Sequence, residues 1–303
     1  MGGSSKQYKI CVVGLGSIGK RHIRNVSKAL KARGMEPVID VLRSGKGTTP
    51  EADLADLIRT VAYSMDDLEE QYDAAFITNP TVLHYETLRQ FAGRTEAFFI
   101  EKPVFHTSDL DPAKLGLDEG TICYVACPLR YTSVIRKVKE EIDFAKVLSV
   151  RAESSSYLPD WRPGTDYRKT YSASKALGGG VSIDLIHEWD YLTYLMGMPE
   201  EVHAVIAKVS DLEIDSDDIA VYIGRYEDKV VEVHLDYFTR EPQRQLTIKT
   251  NEKTYVFDLI EHRDTFQMAE IEHFLDIAEG KAANDSTMED AIKVLKIAEG
   301  KWI

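Results

Sequence analysis

Cysteine, basic charge and long apolar runs are all scarce in this chain, and each scarcity removes a class of function. Only three cysteines occur among 303 residues. Cys11, Cys123 and Cys127 form no Cys-x-x-Cys pair, and no second pair of ligands lies near Cys123 and Cys127. So odd and sparse a set excludes a disulfide framework and gives no metal-ligand spacing, which leaves the three as small packing residues and no metal expected. Acidic residues outnumber basic ones by 50 to 37, for a formal charge of -13, and no basic stretch stands out. That balance argues against partners such as nucleic acid or an anionic membrane, while still allowing one anion to be held locally. No apolar run approaches bilayer-spanning length, and the N-terminus lacks the charged-then-apolar order of a secretion signal. Cytoplasmic residence is the expectation. Met1 to Lys6, with Gly-Gly-Ser-Ser, reads as a disordered leader without function. Repeats, low-complexity segments and proline-rich linkers are missing too, so the domains of the chain are expected to be closely coupled.

What is present begins at Ile10. An apolar strand, Ile-Cys-Val-Val, runs into Gly14-x-Gly16-x-x-Gly19 and then into an amphipathic helix carrying Ile18, Ile23, Val26 and Leu30. Gly14 permits the tight turn, Gly16 lets backbone approach a pyrophosphate, and Gly19 lets the helix pack closely on the sheet. Phosphates then sit on the free N–H groups at the positive end of the helix dipole, which places Ser17 and Ile18 against the cofactor as well. Strand and helix patterns alternate through the first third: Lys9–Val13, a helix to Ala32, Val38–Leu42, a helix near Leu54–Arg59, Thr60–Tyr63, Asp73–Thr78, a helix over Val82–Ala92, and Ala97–Ile100. This is the pattern of a parallel sheet with helices on both faces. After a helix over Tyr131–Ile142 the period changes to two, in Val147–Tyr157, Val202–Val209, Ile219–Tyr226, Val230–Tyr237, Leu246–Thr250 and Lys253–Leu259. Such stretches form one broad antiparallel sheet, with helices following at Asp264–Glu279 and at Met288–Glu299. The expected fold class is therefore α/β: a Rossmann dinucleotide-binding domain over residues 1–124, then an α+β domain over 125–303 with a large open, mainly antiparallel sheet. One face of that sheet is expected to pack against a second copy, giving a homodimer or homotetramer.

Ligands of an open α/β sheet lie beyond the carboxyl ends of its strands. Thr78-Asn79-Pro80-Thr81, with His84 one turn into the next helix, and Glu101-Lys102-Pro103 fall there, and Asn79, Pro80, His84, Glu101 and Lys102 are expected around the cofactor. A cis Lys-Pro bond would aim Lys102 inward. In the second domain Gly178-Gly179-Gly180 leads into Asp184, His187 and Asp190, three residues apart on one helix face. With a positioned lysine, these make an acid/base set suited to moving a hydroxyl proton while hydride leaves the same carbon. Between Tyr157 and Ala173 lies a long loop with Trp161, Tyr167 and Tyr171 for stacking on sugar faces and Arg162 and Arg168 for bidentate anion binding. Packing is the competing role for these aromatics. Arg130 and Tyr131 are further candidates to meet substrate.

The ordered combination of the glycine loop with His22, Asn79-Pro80-Thr81 with His84, Glu101-Lys102-Pro103, and the glycine-rich entry to Asp184, His187 and Asp190 resembles the Gfo/Idh/MocA family of oxidoreductases. The resemblance implies that Lys102 polarises or orients the substrate hydroxyl, that His187 is the general base in oxidation and acid in reduction, and that Asp184 orients substrate or His187. One departure is that family members commonly separate the Asp and His by four positions, whereas Asp184 and His187 are three apart and Glu188 stands at the four-residue spacing. The loop after Tyr157 looks like those of members from bacterial surface-sugar pathways, which implies a small-molecule carbohydrate partner: a sugar, acidic sugar or sugar nucleotide. Between NAD and NADP the second strand decides. Asp40 falls within it, leaving Arg43 and Ser44 at its tip with Lys46 nearby, a set that suits a 2′-phosphate and favours NADP. Two other functions remain open: redox-neutral glycosidase or epimerase chemistry with the nucleotide retained, and a non-catalytic nucleotide or sugar sensor.

Overall fold

The computed structural model describes residues 6–45, 52–259 and 263–302. Lys46 and nearly all of the expected leader, Met1 to Ser5, lie outside them. The chain forms two compact units.

The first unit holds a six-stranded parallel sheet. Its elements in chain order are β1 (Gln7–Val13), α1 (Ser17–Ala32), β2 (Glu36–Leu42), the single turn α2 (Ala52–Ala55), β3 (Ile58–Ala62), β4 (Ala74–Ile77), α3 (His84–Phe91), β5 (Ala97–Ile100) and β6 (Ile122–Val125). The strands lie in the order β3-β2-β1-β4-β5-β6, and every neighbouring pair is parallel. The order reverses between β1 and β4, the crevice where doubly wound folds bind dinucleotides. β4 and β5 are buried at every position, as expected of strands covered on both faces. The expected helix near Leu54–Arg59 is cut to one turn because Ile58 and Arg59 already belong to β3. β6, which contains Cys123, is not among the expected strands; it closes the sheet edge beside β5.

The second unit begins at Cys127 and contains α4 (Ser133–Glu141), β7 (Val147–Ser155), α5 (Val181–Asp184), α6 (His187–Met196), β8 (Glu201–Ala207), β9 (Ile219–Arg225), β10 (Val230–Asp236), β11 (Gln243–Thr250) and β12 (Thr254–Asp258). Its strands form one sheet in the order β12-β11-β7-β10-β9-β8, antiparallel at every pairing except β7 with β10, which is parallel. α5 and α6 cover one face, and α8 (Met288–Ala298) adds to it through the Tyr222 hydroxyl, which donates to the Ala298 carbonyl at 2.8 Å. The other face keeps Leu148, Val205, Ile223, Val230 and Val256 exposed.

The division differs from a single cut at 124/125. The chain returns, and Asp264–Met288 clusters with the first unit. There α7 (Arg263–Ala278) sets Phe274 edge-on against Phe76 of β4 and Phe99 of β5, and Arg33 at the end of α1 pairs with Asp276 at 2.8 Å and Glu279 at 3.2 Å. Periodicity reports that a helix has an apolar face but not which sheet covers it.

Candidate active site

In the first unit, the glycine loop is built as its spacing demands. Gly14 has φ +96°, and a Cβ there would meet Asn79 backbone at 2.8 Å. A Cβ on Gly19 would lie 2.4 Å from the Gly14 carbonyl oxygen and 2.7 Å from Thr78 Oγ1. Gly16 is the opposite case, exposed and with nothing within 4 Å of where a Cβ would be. Two glycines therefore press helix, turn and strand together, and the third leaves backbone open on one side. Thr78 holds the turn by donating to the carbonyls of Val13 and Gly14 at 3.0 and 2.9 Å. α1 starts at Ser17 with no side-chain cap and no acidic residue in its first turn, so its N–H groups and dipole face an uncontested anion position. The Asn79 Oδ1 atom nearby is buried without a hydrogen-bond partner, while its Nδ2 donates to Thr87 at 2.8 Å. An open cradle and an orphaned acceptor fit a dinucleotide's phosphates and hydroxyls.

Asp40 cannot serve as the ribose-binding acid at this end of β2. It is 2% exposed, inside the strand, where Arg59 grips it with two nitrogens and the Tyr72 hydroxyl donates to it at 2.8 Å. Burial works to raise its pKa, but these partners outweigh that and hold the carboxyl below its usual range. Arg43 and Ser44 follow at the strand tip.

Beyond β5, the Lys102–Pro103 peptide is cis. Glu101 accepts a 2.5 Å hydrogen bond from Nε2 of His22, a residue of α1 that is 1% exposed and lies edge-on to Phe99. Burial pushes the Glu101 carboxyl up, yet His22, Lys102 and His84 together bring it below the ordinary glutamate value. His84 is buried with Nε2 2.9 Å from the Asn79 carbonyl and Nδ1 3.1 Å from that of Val104. Burial lowers its pKa, and a neutral imidazole donates to one carbonyl at a time. His84 thus ties the Asn79 turn to the turn carrying Lys102. Glu101 and His84, expected near cofactor, also fix these turns through His22 and through the Asn79 and Val104 carbonyls.

In the second unit, the expected single helix through Asp184, His187 and Asp190 is broken. α5 ends at Asp184, Leu185 and Ile186 form a turn, and α6 starts at His187. Three-residue spacing implies one continuous helix face, but Val181, Ser182, Asp184, Leu185, Ile186, Glu188 and Trp189 are all buried. Such a segment is packed on nearly every side, and its bonds tighten locally, with Ile186 N–H donating to Ile183 O and Glu188 N–H to Leu185 O. Asp184 is 4% exposed and accepts a 2.5 Å hydrogen bond from Tyr237. Tyr171 is 40% exposed, and burial of its phenol first, then the Asp184 charge, raise its pKa. His187 is half-buried at the start of α6.

Sequence reasoning missed Asp217 and Tyr237. Asp217 accepts from the Ser182 N–H at 2.9 Å, its carbonyl accepts from Val181, and it would clash with a Cβ on Gly180, whose φ is +136°. Burial first, and then Asp184, push its carboxyl up. Nothing local marks these residues, which lie far along the chain, Asp217 two residues before β9 and Tyr237 just after β10.

The candidate arginines are mostly occupied. Arg130 is buried and grips Asp190 through Nε at 3.0 Å and Nη2 at 2.6 Å, so it braces the start of α6. Arg168 forks onto Asp166 and reaches Glu213 at 3.0 Å. Arg244 holds the fully buried Glu188 at 2.8 and 3.2 Å, which removes Glu188 as a stand-in for the histidine position. Trp161 packs edge-on against Tyr237 and donates to Ser156 at 2.8 Å, and the Tyr167 hydroxyl accepts from the Glu213 N–H at 3.2 Å.

Comparison with known proteins matches residues 8–114 to the oxidoreductase family with an NAD-binding Rossmann fold, GFO/IDH/MocA, and residues 134–256 to the GFO/IDH/MocA C-terminal domain. The chain belongs to the GFO/IDH/MocA oxidoreductase family. Among its relatives is the uncharacterized oxidoreductase YrbE of Bacillus subtilis, 26% identical over 207 residues, a stretch covering 67% of this chain and 58% of that protein. Another is a D-xylose dehydrogenase of Paenarthrobacter nicotinovorans, 24% identical over 186 residues, or 58% of this chain and 47% of the relative. The matched stretch thus spans only about half the length of these curated relatives. The fold is shared with a levoglucosan dehydrogenase solved with NADH and levoglucosan, at 18% identity, 97% and 96% coverage and a TM-score of 0.79. It is also shared with the WlbA dehydrogenase of Bordetella pertussis solved with NADH and UDP-GlcNAcA, at 18% identity, 97% and 95% coverage and a TM-score of 0.79. Family membership and an NAD-binding fold agree with the glycine loop, whose packing carries the same signature.

Proposed function

We propose that this protein is a nicotinamide-dependent dehydrogenase or reductase acting on a secondary alcohol, or the matching ketone, of a sugar, acidic sugar or sugar nucleotide. The observation that carries this is the glycine loop: tight at Gly14 and Gly19, open at Gly16, and leading into a helix start free of acidic side chains. Family membership supports the activity, and the sugars and sugar nucleotide bound or named in its relatives and structural neighbours support the substrate class.

In this account Gly14, Gly16, Ser17, Ile18, Gly19, Asn79 and Pro80 hold the cofactor, which when bound supplies a hydride acceptor or donor. Lys102 donates to the reacting oxygen and stabilises it as alkoxide character develops. His187 takes the hydroxyl proton in oxidation and returns it in reduction. Asp184, held by the Tyr237 hydroxyl, orients the substrate or His187. Trp161 and Tyr171 offer sugar-stacking surface.

Preference for NADP over NAD rests on Asp40, which is already committed to Arg59 and Tyr72, so that Arg43 and Ser44 at the strand tip meet the adenosine ribose. Arg43→Ala should weaken NADPH binding about tenfold while leaving NADH binding within twofold; equal changes would remove the phosphate role. The exposed aliphatics Leu148, Val205, Ile223, Val230 and Val256 support pairing of two copies through the outer sheet face, which light scattering would detect as twice or four times the chain mass. Free thiols at Cys11, Cys123 and Cys127 support a reducing, cytoplasmic setting. No helix among the described residues is long and apolar enough to cross a membrane.

The activity test is absorbance in the reduced-nicotinamide band, with NAD and NADP against sugars, uronates and nucleotide sugars. A substrate-dependent net change is expected. Product formed without net change would move the protein to redox-neutral chemistry, and binding without product would make it a sensor.

A further inference from the structure

The second unit contains a cavity of about 460 Å³, the size of a small-molecule site, lined by Tyr157, Tyr167, Leu212, Phe238, Arg240 and Asp211. Its position follows from the sheet. β7 and β10 are parallel, and β8 runs in the same direction because it is antiparallel to β9, which is antiparallel to β10. The three strands end at Ser155, Asp236 and Ala207, and Tyr157, Phe238 and Val209 each follow two residues later. The cavity therefore lies beyond the carboxyl edge of three strands, and the residue before Phe238 is Tyr237, the partner of Asp184.

Its cation is Arg240. The guanidinium lies 3.6 Å over the Tyr157 ring, and among the described residues it makes no ion pair. Arg130, Arg168 and Arg244 of this unit are each gripped by carboxylates, and Arg136, which stacks on Tyr131, does not line this cavity. Arg162, the remaining cation expected to bind an anion, lines a crevice of about 10 Å³, room for little more than a water. A guanidinium stacked on an aromatic face is held flat and keeps its N–H fork for a planar oxyanion. Asp211, exposed at the same cavity, cannot face an anion favourably but accepts hydrogen bonds from hydroxyls. Tyr157, Tyr167 and Phe238 supply apolar faces suited to a sugar ring.

We propose that this cavity is a substrate subsite for a hydroxylated group bearing an oxyanion, with Arg240 anchoring a carboxylate or phosphate. The inference rests on the sugar-dehydrogenase reading above and narrows its substrate class to acidic sugars and sugar phosphates.

The test uses the full chain and three probes, glucose, glucuronate and glucose 1-phosphate, titrated by calorimetry alongside NADH. At least one anionic probe should bind tenfold or more tightly than glucose. The stronger of the two identifies the oxyanion as carboxylate or phosphate. Arg240→Gln should erase the preference while glucose affinity stays within twofold, and Phe238→Ala should weaken all three. Arg168→Gln, altering a guanidinium held by Asp166 and Glu213, should keep the preference. Equal binding of all probes by the native chain, or a preference retained in Arg240→Gln, would overturn the subsite. NADH separates the two readings: a chain that binds NADH without anion preference loses only the subsite, and one with anion preference but no NADH binding loses the dehydrogenase assignment.

Discussion

The glycine loop of the first unit and the proposed acid/base segment of the second are both glycine-led entries to a helix, yet they are specified differently. In Gly14–Gly19 the partners are local or adjacent in the sheet: Gly14 and Gly19 are each explained by a close backbone approach, and Gly16 by the open space beside it. In Gly178–His187 the partners come from elsewhere: Asp217 presses on Gly180, Tyr237 holds Asp184, and Arg244 holds Glu188. A backbone-built site is set by its own short motif. The side chains of this second segment are held by tertiary packing.

The largest effect expected from breaking this comparison is on turnover. Lys102→Ala and His187→Ala should each lower kcat by about 10²–10⁴-fold, with cofactor affinity within threefold in both. Steady-state rates and NADH titration check this. Near-normal rates in both variants would leave the second segment as scaffolding.

Stability comes next, and here the two segments should fail for different reasons. Glu188→Leu leaves the part-buried Arg244 guanidinium without its carboxylate and should destabilise by about 1–3 kcal/mol in urea unfolding. Gly19→Val forces a Cβ against the Gly14 carbonyl and should destabilise by about 1–3 kcal/mol while abolishing NADH binding. Loss of NADH binding in Glu188→Leu, with the fold retained, would contradict the separation.

A smaller effect concerns pH. Because the Asp40 carboxyl sits below its unfolded value, its pair with Arg59 contributes stability above the unfolded carboxylate pKa, and that contribution disappears as pH falls through the folded value. Asp40→Asn should therefore reduce stability at pH 7 by about 1 kcal/mol, discounted because Arg59 is 39% exposed, and flatten the acid limb of the stability profile. The ratio of NADH to NADPH affinity should not move, since Asp40 faces Arg59 and Tyr72. A changed ratio would restore it as a cofactor ligand.

How far sequence carries the account follows the same division. The Rossmann strands, the glycine loop and the turn at Lys102 are visible because local backbone chemistry dictates them. The six period-two strands are visible as well, but not the parallel pairing of β7 with β10, since alternation is identical in either direction. The break at Leu185 and Ile186 is hidden because three-residue spacing presumes a continuous helix, whereas this segment is buried on nearly every side. Arg130 and Arg168 look like anion ligands until Asp190, Asp166 and Glu213 are seen to hold them, and Arg240 attracts no attention until its lack of a carboxylate is seen.

The most direct test is a fluorescence titration of NADH into the native chain and Gly16→Val. Space around Gly16 predicts an unchanged melting temperature for the variant, and its position at the cradle predicts at least tenfold weaker binding than the saturable binding of the native chain. Absence of saturable binding by the native chain, or equal binding by both, would contradict a dinucleotide held at this loop.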